Sequence, residues 1–287
     1  MLDLAVRESA QAHASCAAQA LSLEAVRSLH SELVLAPKPG LVCPNDNGSH
    51  RDMTATTLFR SLFALRHYFR EIAEAAWHGA PFATLQRLGI AAEACMLRAT
   101  QGVNTHRGAI FNLGLLSAAA ADLMARGAPV EAVGLGETVR RRWGQAILDM
   151  SPQAPSHGLM VAVRYGAGGA RLEAASGFPT VLQTGLPLLR EALRSGAGPG
   201  HALTQTLFGL IVDVEDTNLL YRGGRDGLRF AQRTARDFLA AGGVHAPGWR
   251  ARAQAIRDAF VARNLSPGGT ADLLAATWFV HRITADR

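Results

Sequence analysis

Among 29 basic residues the chain has a single lysine, Lys38, and the rest are arginine. Arginine grips phosphate with a planar, two-pronged head and does not lose its proton. A lone lysine inside the turn Pro37-Lys38-Pro39-Gly40 stands out against that background, although a solvated turn lysine would look the same. Cysteine is scarce too. Cys16, Cys43 and Cys95 are odd in number and widely spaced, with no Cys-x-x-Cys and no His/Cys cluster. That excludes a disulfide framework and gives no support to a zinc site. Aromatic residues make up only 6%, and Trp77, Trp143, Trp249 and Trp278 are dispersed. Nothing interleaves them with basic residues as single-stranded nucleic acid would require, so no nucleic-acid partner is expected. No uncharged apolar stretch is long enough for a bilayer, and Arg7, Glu8, Gln11 and His13 break any signal-peptide core. The expectation is a soluble, cytoplasmic protein with no membrane partner. Walker A, Gly-x-Ser-x-Gly and His-Glu-x-x-His patterns do not occur.

What is present is a chain rich in Ala and Leu with 48% hydrophobic residues, enough for a substantial core. Its net charge of +6 and pI near 10.0 suit an anionic ligand without identifying it. Helical periodicity covers residues 16–35, 54–77, 82–100, 106–126, 129–149, 180–195, 200–214, 225–241, 248–263 and 270–285. Residues 159–165 read equally as a short strand or a helix fragment. We expect one all-α domain over 1–287, with helix ends meeting at one pole. The stretch 151–178 carries Pro152, Pro155, Gly158 and a glycine run from Gly166, and reads as a lid or an irregular connection. Arg140-Arg141-Arg142 reads as a solvated helix face.

Four polar islands interrupt this pattern. The first runs from Glu32 through Lys38 to Asp46, Gly48, His50 and Asp52. Its two prolines stiffen the turn that presents Lys38, and Asp52 falls where a helix N-cap belongs. Glu32, Asp46 and Asp52 are candidate magnesium ligands or proton acceptors. The second is Asn104-Thr105-His106-Arg107-Gly108, at a helix start where exposed amides attract phosphate. Arg107 in that first turn is unfavourable for the helix unless an anion lies nearby. His106 is either an acid or a loop cap. The third holds Asp213, Glu215, Asp216, Asn218 and Arg222-Gly223-Gly224, with acids near a helix C-terminus that call for a compensating cation. The fourth is Ser266-Pro267-Gly268-Gly269 leading to Asp272, a glycine loop entering a helix in the manner of a phosphate cradle.

In this order the islands resemble the triphosphoribosyl-dephospho-CoA synthase family. Gly177-Phe178-Pro179 and the extended runs Asn104–Phe111 and Asn264–Leu274 also fit, so the resemblance spans roughly residues 30–282. Glu215-Asp216-Thr217-Asn218-Leu219-Leu220 and Gly177-Phe178-Pro179 look more like the branch serving malonate decarboxylase than the one serving citrate lyase. The resemblance implies that ATP and 3′-dephospho-CoA combine to give 2′-(5″-triphosphoribosyl)-3′-dephospho-CoA with release of adenine. That product is passed on toward an acyl carrier protein as its prosthetic-group precursor.

Such chemistry needs a base for a ribose hydroxyl, stabilisation of an oxocarbenium-like transition state, and a grip on a triphosphate. The matching positions supply candidates. Glu32, Asp52, Asp216 and Asp272 would hold Mg²⁺, with one of the four as base and His50 and His106 as secondary acid/base groups. Lys38, Asn104, Thr105, Arg107, Asn218, Arg222, Gly223, Gly224, Ser266, Gly268 and Gly269 would contact substrate. Two rival readings stay open: a magnesium-dependent all-α N-glycosidase or phosphohydrolase, and a non-catalytic basic helical binding protein. Whether the chain pairs as a homodimer is open as well.

Overall fold

The computed structural model describes residues 2–151 and 157–284, and within them the chain is all-α with twelve α-helices and no strand. The first five are α1 (Leu2–Leu33), α2 (Ala55–Trp77), α3 (Phe82–Ala99), α4 (Arg107–Ala125) and α5 (Ala132–Leu148). Two short ones follow, α6 (His157–Tyr165) and α7 (Gly169–Ala175). The rest are α8 (Leu186–Arg194), α9 (Pro199–Asp213), α10 (Thr217–Ala240), α11 (Trp249–Ala262) and α12 (Gly268–Thr284).

The hydrophobic spacing explains the packing. In α2, Leu58, Leu62, Leu65, Phe69, Ile72 and Ala76 recur every three or four residues and are buried. α4 is apolar around its whole circumference, with fourteen buried residues, and is accordingly the central helix, flanked by α1, α2, α3, α5, α7 and α12. It is long and apolar enough to cross a bilayer, but its stretch is 78% buried in this core. α2 lies tightly on it: Tyr68 donates to the Ile110 carbonyl at 3.0 Å, over Gly114, where a side chain would collide with the phenol. One continuous apolar cluster runs from α1 to α12. A small second cluster of Leu33, Val42 and Leu58 backs the first polar island.

The structure departs from the expected elements in several places. The first helix begins at Leu2 rather than 16, because nothing between them breaks a helix. Thr54, not Asp52, caps α2, through a reciprocal pair with Thr57. Residues 159–165 belong to a helix, not a strand. The expected helix 180–195 opens as a π-turn, Thr180–Gly185, before α8; Pro187 in the first turn of α8 has no N–H to give. Of the stretch 151–178, residues 152–156 lie outside the described residues. Ala174, Ala175 and Phe178 are core residues rather than part of a cover. The Arg140–Arg142 run is only partly a solvated face, because Arg142 reaches across to the buried Asp122 of α4, which Arg126 also pairs at 2.7 Å. α10 starts at Thr217 and bends at Gly224, whose φ of 60° and ψ of −161° are not helical.

Candidate functional site

The loops before α2, α4 and α12 and the first turns of α10 come together, so islands far apart in sequence become neighbours. Gly40 has φ of +64°, and any side chain there would overlap the Leu265 carbonyl, so the first and fourth islands touch backbone to backbone. Ser49 Oγ donates to that same carbonyl at 2.6 Å, and His50 Nε2 lies 2.9 Å from Ser266 Oγ. Arg222 ties in the third island. Its Nη1 donates to the Ser49 carbonyl at 2.9 Å and to the carbonyl and side-chain oxygen of Asn264 at 3.3 and 3.0 Å. Its Nη2 is 3.2 Å from His50 Nδ1. Burial and then the Arg222 charge lower the His50 pKa, so His50 is a neutral ring. Gly223 lies under Leu265 and Gly224 makes the kink near Tyr165, so neither leaves the open backbone the sequence suggested.

The acids fall into distinct situations. Asp216 is not at the end of a helix, as expected, but is the N-cap of α10, where negative charge is favourable. Its Oδ1 accepts from the N–H groups of Asn218 (2.8 Å) and Leu219 (3.2 Å). Its Oδ2 accepts the N–H and hydroxyl of Thr270, at 2.7 and 2.8 Å. Four donors therefore fill this carboxylate and bind the starts of α10 and α12 together. Gly268 and Gly269 allow the approach, since added side chains would meet Asn218 Nδ2 and Asp216 Oδ2. Burial nevertheless raises the Asp216 pKa.

Asp272 lies one turn into α12 and reaches the start of α4. Its carboxylate accepts the Ala109 N–H and occupies the place where Gly108 would carry a side chain. This is how the second island joins the others. Burial, then the neighbouring charges of Glu32 and Asp216, push the Asp272 pKa well above the carboxylate range. Glu32 is held by Lys38, which is almost fully buried and donates to the Glu32 carboxylate at 2.6 Å and carbonyl at 2.8 Å. Asp52 stays outside this group: its side chain is 63% exposed, 3.6 Å from His50 Nδ1. Asp46 is taken up by Arg257 of α11 and by the Gly48 N–H. Among the described residues, no group of three or more His, Cys, Asp or Glu side chains is disposed to hold a metal ion.

In the second island, Asn104 Oδ1 accepts the Arg107 N–H at 3.3 Å, and the Arg107 guanidinium pairs with Glu93 of α3. Glu93 is thus the anion that offsets a positive charge at this helix start. His106 neither caps the loop nor faces solvent. It is 5% exposed, with Nδ1 2.6 Å from Ser61 Oγ of α2, while its Nε2 and the Thr105 hydroxyl are buried without a partner. Burial and then the nearby Lys38 charge pull its pKa down to about 4. The sequence reading missed Ser61 and Thr270. A polar Ser61 inside the apolar stripe of α2 was the one available signal for the first.

The chain is similar to known proteins over most of its length. A family model described as ATP:dephospho-CoA triphosphoribosyl transferase matches residues 18–287. A protein of Pectobacterium atrosepticum named 2-(5''-triphosphoribosyl)-3'-dephosphocoenzyme-A synthase is 43% identical, over 88% of this chain and 86% of its own length. A probable enzyme of the same name from Acinetobacter calcoaceticus is 39% identical, over 93% of this chain and 91% of its own. One from Vibrio cholerae is 37% identical, over 98% and 96%. No solved structure matches the chain.

Proposed function

We propose, from the premise that the chain belongs to the ATP:dephospho-CoA triphosphoribosyl transferase family, that its four joined islands form the site where adenine is displaced from ATP. The protein is a pentosyltransferase, a triphosphoribosyl-dephospho-CoA synthase. In our reading the 2′-hydroxyl of 3′-dephospho-CoA attacks C1′ of ATP, the C1′–N bond to adenine breaks, and the triphosphate stays whole. The hydroxyl gives up one proton and adenine needs one at a ring nitrogen, so the reaction balances without any further reagent.

The observation that carries this reading is the junction of Glu32, Lys38, His106 and Asp272 with the starts of α4, α10 and α12. Asp272 is our choice for the group that takes the hydroxyl proton, because a carboxyl with a raised pKa is a better base at neutral pH. Asp216, with all four lone-pair sites filled, holds the frame instead. Lys38 is the cation best placed for the triphosphate, in competition with Glu32.

Glu32 and Asp272 also fit Mg²⁺. Burial first, and then the Glu32 charge, raises the Asp272 pKa, and Mg²⁺ is commonly held by one or two carboxylates plus substrate phosphates. It would supply charge neutralisation on the triphosphate. Glu215–Leu220 and Gly177–Pro179 support malonate decarboxylase over citrate lyase as the system served. Mass spectrometry of the product from ATP, Mg²⁺ and dephospho-CoA tests the reading. Adenine and an adduct with three intact phosphates are expected; ADP or inorganic phosphate would refute it. Offering the product to each carrier protein with its own attachment enzyme decides the branch.

A further inference from the structure

Ser61 and His106 form a pair that the reaction as described above does not use. Ser61 is fully buried, and its hydroxyl makes no hydrogen bond among the described residues except the 2.6 Å contact with His106 Nδ1. A helical serine ordinarily gives its proton to the carbonyl four residues back; this one does not. Two arrangements are available for a neutral ring. If Nδ1 carried the proton and gave it to Ser61, the serine's own proton would be buried without an acceptor, at a cost of about 1–3 kcal/mol. If Ser61 donates to Nδ1, the ring proton sits on Nε2 and that one N–H alone lacks a partner in the free chain, whereas the first arrangement strands both the serine proton and the Nε2 lone pair. The second arrangement is the favoured one.

We propose that Ser61 is a positioning residue that fixes His106 as the Nε2–H tautomer, making His106 a neutral hydrogen-bond donor to a substrate phosphoryl oxygen rather than a base. Two donors lie near one another here, the His106 Nε2–H and the Lys38 ammonium, and the hydroxyl of Thr105, next along the chain, is also buried without a partner. Two donors, one of them charged, suit an anionic oxygen. The ring must stay neutral beside Lys38, since a second positive charge there would be repelled, and the folded environment keeps it so. Nε2 is closed to solvent in the free chain, so a phosphate that reaches it also competes with Glu32 for Lys38.

This inference rests on the triphosphate-binding reading, but its main test does not require turnover. Long-range ¹H–¹⁵N spectra of the labelled full chain, with His106 assigned by a His106→Asn variant, report which ring nitrogen is protonated. The expected result is a proton on Nε2 from pH 8 down to about 5, and a shift of that signal on adding inorganic tripolyphosphate. Separate titrations with ATP and dephospho-CoA then tell which substrate supplies the phosphoryl group. Ser61→Ala should give a mixture of tautomers and a fall in kcat/KM of about tenfold, the worth of one lost hydrogen bond, with Ser61→Thr restoring both. A wild-type proton on Nδ1, no response to any of the phosphates, or an unchanged tautomer in Ser61→Ala overturns the proposal. If Ser61→Ala does not fold, the wild-type spectra decide alone. Failure to form the adduct would sink the transferase reading and leave the tautomer measurement standing.

Discussion

Replacing Asp216 by Asn separates a structural role from a catalytic one. The carboxylate accepts four hydrogen bonds, two from the first turn of α10 and two from Thr270 at the start of α12. Asparagine keeps one acceptor oxygen for the Asn218 and Leu219 N–H groups. Its NH₂ then faces the Thr270 N–H, donor against donor, while the Thr270 hydroxyl can turn to accept. One buried N–H is therefore left unsatisfied, at about 1–3 kcal/mol, and the remaining bonds lose their charge assistance. The burial that raises the Asp216 pKa offsets part of that loss, because a neutral side chain suffers less desolvation. The net cost expected is about 2–3 kcal/mol, or a fall in Tm on the order of 3–5 °C.

Urea unfolding with activity measured on the same samples is the appropriate assay. Activity should fall with the folded fraction and with loosening of the α12 start. Thr270→Val keeps the backbone N–H bond and loses only the hydroxyl one, about 1–3 kcal/mol, and the double variant should lose at least the sum, because the Asn NH₂ then has no hydroxyl to donate to. If Asp216→Asn melts within about 0.5 kcal/mol of the wild type and turnover is nevertheless abolished, the carboxylate acts on substrate and the reasoning here is wrong.

Other substitutions address the remaining parts of the site. Gly108→Ala should gain about 1 kcal/mol from helix propensity, but its methyl group displaces the Asp272 carboxylate; a circular dichroism spectrum like the wild type's with turnover reduced more than tenfold is the expected outcome. Arg222→Lys cannot span Ser49, Asn264 and His50 with one ammonium, so it should lower the urea midpoint by an amount worth about 1–3 kcal/mol. Asp272→Asn should abolish turnover yet raise Tm. The folded pKa of Asp272 lies above its ordinary value of 3.8, so the wild-type chain loses stability as pH rises from there through the folded value. The Tm advantage of the variant should accordingly widen with pH across that window, and a constant difference would refute the assignment.

How much of this was legible in the sequence depends on distance along the chain. Apolar spacing locates most helices because each buried face is written locally, as in the Leu58–Ala76 stripe of α2. Departures arise where a terminus is decided by one or two atoms: Thr54 rather than Asp52 as a cap, or a π-turn ahead of Pro187. The islands were visible because glycine, proline and charge are costly inside a helical bundle. Their individual roles were not, because each depends on a partner far away in sequence. Asp216 looked like an acid at a helix end awaiting a cation until Thr270, 54 residues on, supplied its donors. Arg107 looked like a phosphate ligand until Glu93 appeared beside it. Asp272 gained its unusual pKa from burial first and then from Glu32 and Asp216, brought in from the ends of other elements. The same logic runs in reverse for function. Asp216, whose acceptor sites are all filled by the fold, has little left to offer a ligand. On the reading proposed above, Asp216 therefore serves as frame, and the chemistry turns on the unpartnered His106 Nε2 and the Asp272 carboxyl with its raised pKa.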